Sequence, residues 1–296
     1  MHISTLPSIT NDLGESLYWD AGDRRLYWID AWKAQVHAYD PVTGDIDIRD
    51  FAQALGGAPI GSIARHADGG LIAAVRGGFH RLDLDTASAA LMAPAETDRP
   101  ATNRLNDGKC DRAGRFWCAS VNTDHRTPSG ALWRFAAGRD PVLMQDSLMV
   151  GNGIAWSPDS RLMYLADTAA GLVWCHDFDL DGGTLANRRV FISTAHIRGG
   201  IDGATVDADG CYWAALFRGS AVAQFDPDGR LMRHVPLPVT NPTICAFGGP
   251  DLDVLFVASA RRFLDADQLQ AQPLAGSVFA ITGLGARGLA EPRFRA

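Results

Sequence analysis

Short apolar runs rich in aromatic and β-branched residues recur along the chain, separated by clusters of Asp, Gly and Pro. The spacing is about 45 residues. Each unit opens on a turn rich in Asp and Gly and passes into an apolar stretch. Six copies are readable: residues 20–30 (DAGDRRLYWID), 66–75 (HADGGLIAAV), 111–120 (DRAGRFWCAS), 157–167 (SPDSRLMYLAD), 207–216 (DADGCYWAAL) and 249–259 (GPDLDVLFVAS). Each reads as a hairpin turn leading into a buried strand. Most continue into a second alternating stretch, at 35–39, 79–84, 130–135, 173–178 and 221–225, that ends in turn signals such as Asp40-Pro41 and Asp226-Pro227.

No long stretch keeps a 3.6-residue apolar period between helix caps, and 31 glycines and 15 prolines punctuate the chain. The pattern therefore predicts an all-β, six-bladed β-propeller with four-stranded blades. Residues 3–9 are expected to pair with the last blade and close the ring. With no linker or low-complexity segment, residues 1–296 read as a single propeller domain.

Composition narrows the function classes. At 47% hydrophobic residues and without an apolar run near the ~20 residues of a membrane-spanning helix, the chain reads as soluble, with no membrane partner. Residues 1–12 lack the basic and apolar regions of a secretory signal, so the expected location is cytoplasmic. The five cysteines, Cys110, Cys118, Cys175, Cys211 and Cys245, are odd in number and unpaired in spacing, as suits free thiols. A net charge of −7 argues against nucleic acid as a partner.

In a closed propeller, chemistry gathers at one mouth of the central channel. Polar residues interrupting apolar segments at corresponding places are the candidates. Glu15, in LGESLYWD, lies among Leu13, Leu17 and Trp19. A carboxylate buried there calls for a cation or for backbone donors. Asn152, in VGNGIAWSPD, offers a neutral oxygen donor, although Asn between glycines also reads as a turn residue. Asp202, in GGIDGATVDADG, holds the matching place one repeat later, and this parallel placement raises both. Two carboxylates and an amide form an oxygen-rich set suited to Ca²⁺, Mg²⁺ or Mn²⁺, with Zn²⁺ or Fe²⁺ still open. Residues 103–109 (NRLNDGK) are too polar for an ordinary strand. Arg104 and Asn106 there suit recognition of carbonyl and hydroxyl groups, and a solvated turn is the competing reading.

Taken together, GESLYWD at 14–20, RLNDGKCDRAGRFW at 104–117, GNGIAWSPD at 151–159, DGATVDADGCYW at 202–213 and FGGPDLDVLFVASAR at 247–261 resemble the SMP-30/gluconolactonase/regucalcin-like family. The resemblance covers nearly the whole chain. It implies a six-bladed propeller whose metal is held by Glu15, Asn152 and Asp202, and whose substrate meets Arg104 and Asn106. It also implies an acidic substrate contact that falls on Asp124, a shorter acid than the glutamate of some members. Ser16 and Leu17 replace a frequent Gly-Pro after Glu15, and Ile201 replaces a common proline; neither change removes a ligand. Asp124 and the 122–129 loop lie where substrates are discriminated.

The expected activity is metal-dependent hydrolysis of a sugar-acid (aldono) lactone to the free acid. A divalent ion polarises the carbonyl and activates water, and Asp202 serves as general acid/base. The expected partner is a small-molecule sugar lactone, the protein acting as a monomer or weak homo-oligomer. A serine hydrolase is set aside because no GxSxG elbow is present. The alternatives are a non-catalytic calcium-binding regulatory propeller and a promiscuous metal-dependent esterase or phosphotriesterase. His66, His80, His125 and His176 read as surface or blade residues, and of these only His125 lies near the proposed mouth.

Overall fold

The repeated turn has a specific hydrogen-bonding logic. In the third unit, one oxygen of Asp111 accepts the backbone N–H groups of Ala113 and Arg115 (2.9 and 3.1 Å), while the other accepts the indole N–H of Trp117 at 2.8 Å. Asp207 does the same in the fifth, with Asp209 and Cys211 (3.0 and 2.8 Å) and the Trp213 indole (2.8 Å). One carboxylate thus shapes the turn and anchors the buried ring six residues later, satisfying the polar N–H the ring carries inward.

The computed structural model describes residues 1–7 and 9–295, as six four-stranded antiparallel sheets, each a propeller blade. The repeats read from the sequence supply the second strand of each blade, and the alternating stretches supply the third. Gln35–Tyr39, Gly130–Phe135 and Ala221–Phe225 coincide with the predicted bounds. The last blade is built from Pro242–Gly248, Val254–Ser259, Phe279–Thr282 and, from the other end of the chain, His2–Thr5. The closing strand is therefore shorter than 3–9; Ser8, within that range, lies outside the described residues. Among the described residues the helical content is small: a short α-helix, Ala266–Ala271, capped by Asp265 and Gln268, and a single 3₁₀ turn at Ala31–Lys33.

Neighbouring blades meet through large aromatic side chains. Trp19 stacks on Phe256 (6.2 Å), Trp117 meets Trp156 (6.2 Å) and Phe178 (5.7 Å), and Trp213 meets Phe247 edge-on (5.7 Å). Each fully buried ring contributes a few kcal/mol.

The six inner strands, Gly14–Asp20, Ile60–Arg65, Asn103–Cys110, Gly151–Trp156, Gly200–Val206 and Pro242–Gly248, share an irregularity. Every one shifts register against its partner at the same depth: between Glu15 and Tyr18, Ile60 and Ser62, Leu105 and Gly108, Asn152 and Ala155, Ile201 and Ala204, and Pro242 and Ile244. Such bulges re-aim side chains, and here they ring the channel. Gly153 adopts φ 58 in one of them, packed against Tyr212 and the Asp202 carbonyl. A side chain would be strained there and would collide.

Residues 103–109 are where the sequence reading and the fold part. They form an inner strand, Asn103–Cys110, despite their polarity. An inner strand faces the channel, so polar side chains can line it as long as each finds a partner.

The channel's far end is closed by the tail that follows the last strand. The Tyr18 hydroxyl donates to the Glu291 and Pro292 carbonyls (3.3 and 3.1 Å), Arg293 pairs with Asp20 (2.6 Å), and buried Phe294 stacks on Phe135 (5.5 Å). Lys109 Nζ, inside the channel, meets Glu291 at 3.1 Å and the Ala204 carbonyl at 3.0 Å. One mouth is left for chemistry. Among the described residues, no helix is long and apolar enough to cross a membrane.

Candidate metal and substrate site

At the open mouth, two aspartates that end second strands pin the segments entering two inner strands. Asp30 accepts the N–H groups of Asp12 and Leu13 (2.9 and 3.1 Å), which sets Glu15 two residues on. Asp167 accepts those of Met149 and Val150 (2.9 and 3.0 Å), which sets Asn152. Asp202 comes from the bulge of the fifth inner strand.

Glu15 is half-buried, and Asn152, Asp202 and Asp107 are buried. Burial drives the carboxyl groups of Glu15 and Asp202 well above the usual carboxylate range. The charge of Asp202 adds to the effect on Glu15, the charge of Asp107 adds to both, and Arg104 opposes it. Burial also raises Asp107, partly offset by the Ile154 N–H that its Oδ2 accepts at 3.0 Å and by Lys109.

Another buried acid gives the contrast. Glu96 accepts from Asn103 Nδ2 (2.9 Å), Ser120 Oγ (2.8 Å) and the Trp133 indole (2.5 Å), so it is fully provided for. Among the described residues, Glu15 and Asp202 are met only by the adjacent backbone N–H groups of Ser16 and Gly203. Two carboxylates with so few donors are an arrangement whose charge a bound cation could balance.

Asn152 joins them by a directed relay. Arg104 Nη1 donates to Asn106 Oδ1 (2.6 Å), and Asn106 Nδ2 donates to Asn152 Oδ1 (2.8 Å) and to the Gly151 carbonyl (3.0 Å). Asn152 Nδ2 donates to Thr168 Oγ1 (2.8 Å), whose hydroxyl donates to the Ile201 carbonyl (2.6 Å). Because Thr168 gives its only proton to a carbonyl, it can only accept from Asn152. The amide nitrogen is held toward Thr168 and the oxygen toward Asn106 and the channel. Among the described residues no three His, Cys, Asp or Glu side chains gather as a metal-binding group; a cation held by Glu15 and Asp202 would need a further donor, and the Asn152 amide oxygen could be one.

Arg104 is half-buried, with its guanidinium 5.8 Å from the Trp32 ring. Asp124 is placed differently. It is exposed in the loop after Phe116–Asn122, where its carboxylate accepts from the Arg126 and Thr127 N–H groups (2.8 and 2.9 Å) and from the Thr127 hydroxyl (2.5 Å). Those bonds, led by the Thr127 hydroxyl, lower its pKa to about 2. To contact a ligand, the turn would have to release them. Thr168, Glu96 and Asp107 complete the surroundings. Their signal in the sequence is weak, a lone threonine, a loop glutamate and the last letter of RLND. A separate cleft of about 450 Å³ between the first two blades is lined by Arg25, Asp47, Arg65 and Arg81, away from this mouth.

Compared with known proteins, residues 13–261 match the model of the SMP-30/gluconolactonase/LRE-like region. The chain belongs to the SMP-30/gluconolactonase/LRE-like family. Regucalcin of Xenopus laevis is 32% identical over 99% of this chain and 98% of that protein. The 6-deoxy-6-sulfogluconolactonase of Pseudomonas putida is 35% identical over 95% of this chain and 94% of its own length. The crystal structure of a calcium-binding protein, regucalcin, from Agrobacterium tumefaciens superposes with a TM-score of 0.92 at 28% identity, covering 99% of this chain and 97% of that one. The resemblance seen in the sequence and the six-bladed architecture are both borne out.

Proposed function

We propose that this protein hydrolyses a sugar-acid lactone to the free aldonic acid, using a divalent cation held by Glu15, Asn152 and Asp202. The observation that carries the reading is the pair of donor-poor carboxylates, Glu15 and Asp202, with an amide oxygen aimed by the Arg104–Asn106 relay. Relatives named as a lactonase and as calcium-binding support the two halves of the proposal. The donor set fits an oxygen-preferring ion, which makes Ca²⁺ the first cation to test, ahead of Mg²⁺, Mn²⁺, Zn²⁺ and Fe²⁺. When bound, such an ion supplies a Lewis acid for the lactone carbonyl and a more acidic water.

Each residue of the chain has a defined task. Asp202 accepts a proton from the attacking water and returns it to the ring oxygen as the ring C–O bond breaks, giving a carboxylic acid and a hydroxyl. Arg104 directs its fork at carbonyl or hydroxyl oxygens, and Asn106 both donates and accepts. This polar wall favours a hydroxylated lactone over the apolar esters or phosphotriesters of an esterase, and a calcium buffer has no use for it. Asp124 takes part through the 122–129 loop.

The test is acid release from a panel of aldonolactones by chelator-treated protein with each cation added back. At least one lactone should open faster than in buffer with the same ion. Rates equal to buffer throughout would leave the regulatory calcium-binding reading.

A further inference from the structure

The first residues after the second strands rim the mouth: Trp32, Arg76, His125, Arg218 and Arg262 among them. Part of this rim is a continuous arc of guanidinium and aromatic groups. Arg104 lies 5.8 Å from the Trp32 ring, whose other cation, Arg262, lies at 4.4 Å. Arg262 reaches the Phe263 ring at 5.9 Å, Phe263 meets Phe217 edge-on at 5.9 Å, and Arg218 lies 5.7 Å from Phe217. Phe263 is 52% exposed and Arg218 is exposed beside it. His125, on the loop of the third blade, closes the opposite flank. Burial, with the charges of Arg104 and Arg218, lowers its pKa. Arg76, exposed on the second blade, directly follows the strand Leu71–Val75.

Little at this rim balances the charge. Arg262 pairs with Asp12 at 2.8 Å. Among the described residues Arg76, Arg104 and Arg218 take part in no ion pair, in a protein whose net charge is −7. Nearby acids have other duties: Glu15 and Asp202 face the cation site, Asp107 accepts from Ile154, and Asp124 is tied into its own turn. The carbonyl and hydroxyls of a lactone need one guanidinium fork, which Arg104 provides. Two further exposed arginines facing the same opening are the arrangement that recognises and attracts an anion.

We infer that Arg218 forms a subsite for an anionic group, a phosphate, sulfonate or carboxylate, at the end of the substrate remote from its lactone carbonyl, and that Arg76 strengthens the attracting field. This rests on the lactonase reading. The exposed Phe263 ring supplies an apolar wall along which the substrate's carbon chain can lie.

The experiment compares gluconolactone with counterparts that carry phosphate, sulfonate or carboxylate on the terminal carbon, using full-length protein, Arg218→Gln and Arg76→Gln. Wild type should favour at least one anionic lactone by about tenfold in kcat/KM, a preference that shrinks with added salt. Arg218→Gln should lower the anionic-to-neutral ratio by about tenfold, mainly through KM, and Arg76→Gln by less. Equal wild-type rates on neutral and anionic lactones, or a preference that Arg218→Gln leaves intact, overturn the subsite while the lactonase stands. If no lactone is opened, the lactonase reading fails, and calorimetric titration with gluconate bearing a terminal phosphate decides the subsite. Binding weakened about tenfold by Arg218→Gln upholds it, and no binding overturns it.

Discussion

Asn152 Nδ2 lies 2.8 Å from Thr168 Oγ1, and the direction of that bond is fixed by the hydroxyl's donation to Ile201 at 2.6 Å. A residue of the fourth blade thereby decides which end of the Asn152 amide faces the channel. Thr168→Val removes the acceptor and leaves the amide oriented by Asn106 alone. Cation affinity should fall by about tenfold to a hundredfold, as for other groups that orient a metal ligand, with little change in thermal stability. Thr168→Ser, which keeps the hydroxyl, should restore most of it. Calorimetric titration with Ca²⁺ or Mn²⁺ checks this, and equal affinities in wild type and Thr168→Val would show that the relay does not orient the ligand.

Asp124 shapes the 122–129 loop through the Arg126 and Thr127 amides. Asp124→Ala should leave cation affinity intact, raise KM for lactone several-fold and speed amide exchange across the loop. An unchanged KM alongside a loosened loop would separate the loop from substrate discrimination.

Lys109 and Glu291 meet in the closed end of the channel with side chains 10% and 11% exposed. Removing one partner strands a buried charge, so Glu291→Ala should cost about 3 kcal/mol. Adding Lys109→Met should recover much of that loss in the double variant. Denaturant midpoints measure both, and a double variant no more stable than Glu291→Ala would argue against a stranded charge as the cause.

His37 is buried, has no partner among the described residues on either ring nitrogen, and stacks on Trp28 at 5.0 Å. Burial lowers its pKa to about 4. The unfolded chain titrates near the ordinary value of about 6.5 and takes up the proton first as pH falls. Stability present above about pH 6.5 is therefore lost as the pH falls toward 4, by on the order of 2 kcal/mol from this group. His37→Leu should flatten the pH dependence of stability in that window. A slope matching wild type would place the proton uptake elsewhere.

The fold was legible because the turn aspartates and buried tryptophans recur with the blade. Asp111 and Trp117, like Asp207 and Trp213, write one hydrogen-bond device into the sequence twice. The inner strands were harder to see. Their bulges break the period of two, and in Asn103–Cys110 the channel accepts Arg104, Asn106 and Asp107 where an ordinary buried strand would not. The tail was silent for another reason. Glu291 and Arg293 look like solvated charges until Lys109 and Asp20 are brought beneath them. Of the site, Glu15, Asn152 and Asp202 stood out as polar interruptions at matching positions, whereas Thr168 matters only through a bond to a residue 16 positions away.

The most direct measurement follows cation binding and lactone opening in the same preparations of wild type, Glu15→Gln and Asp202→Asn. Wild type should bind one divalent ion per chain, lose lactone opening with the chelator and regain it as the ion is returned. Glu15→Gln should bind more weakly, and Asp202→Asn, at saturating cation, should lose about a hundredfold or more in kcat. Lactone opening at the full wild-type rate in the presence of the chelator, or by Asp202→Asn, would contradict the account.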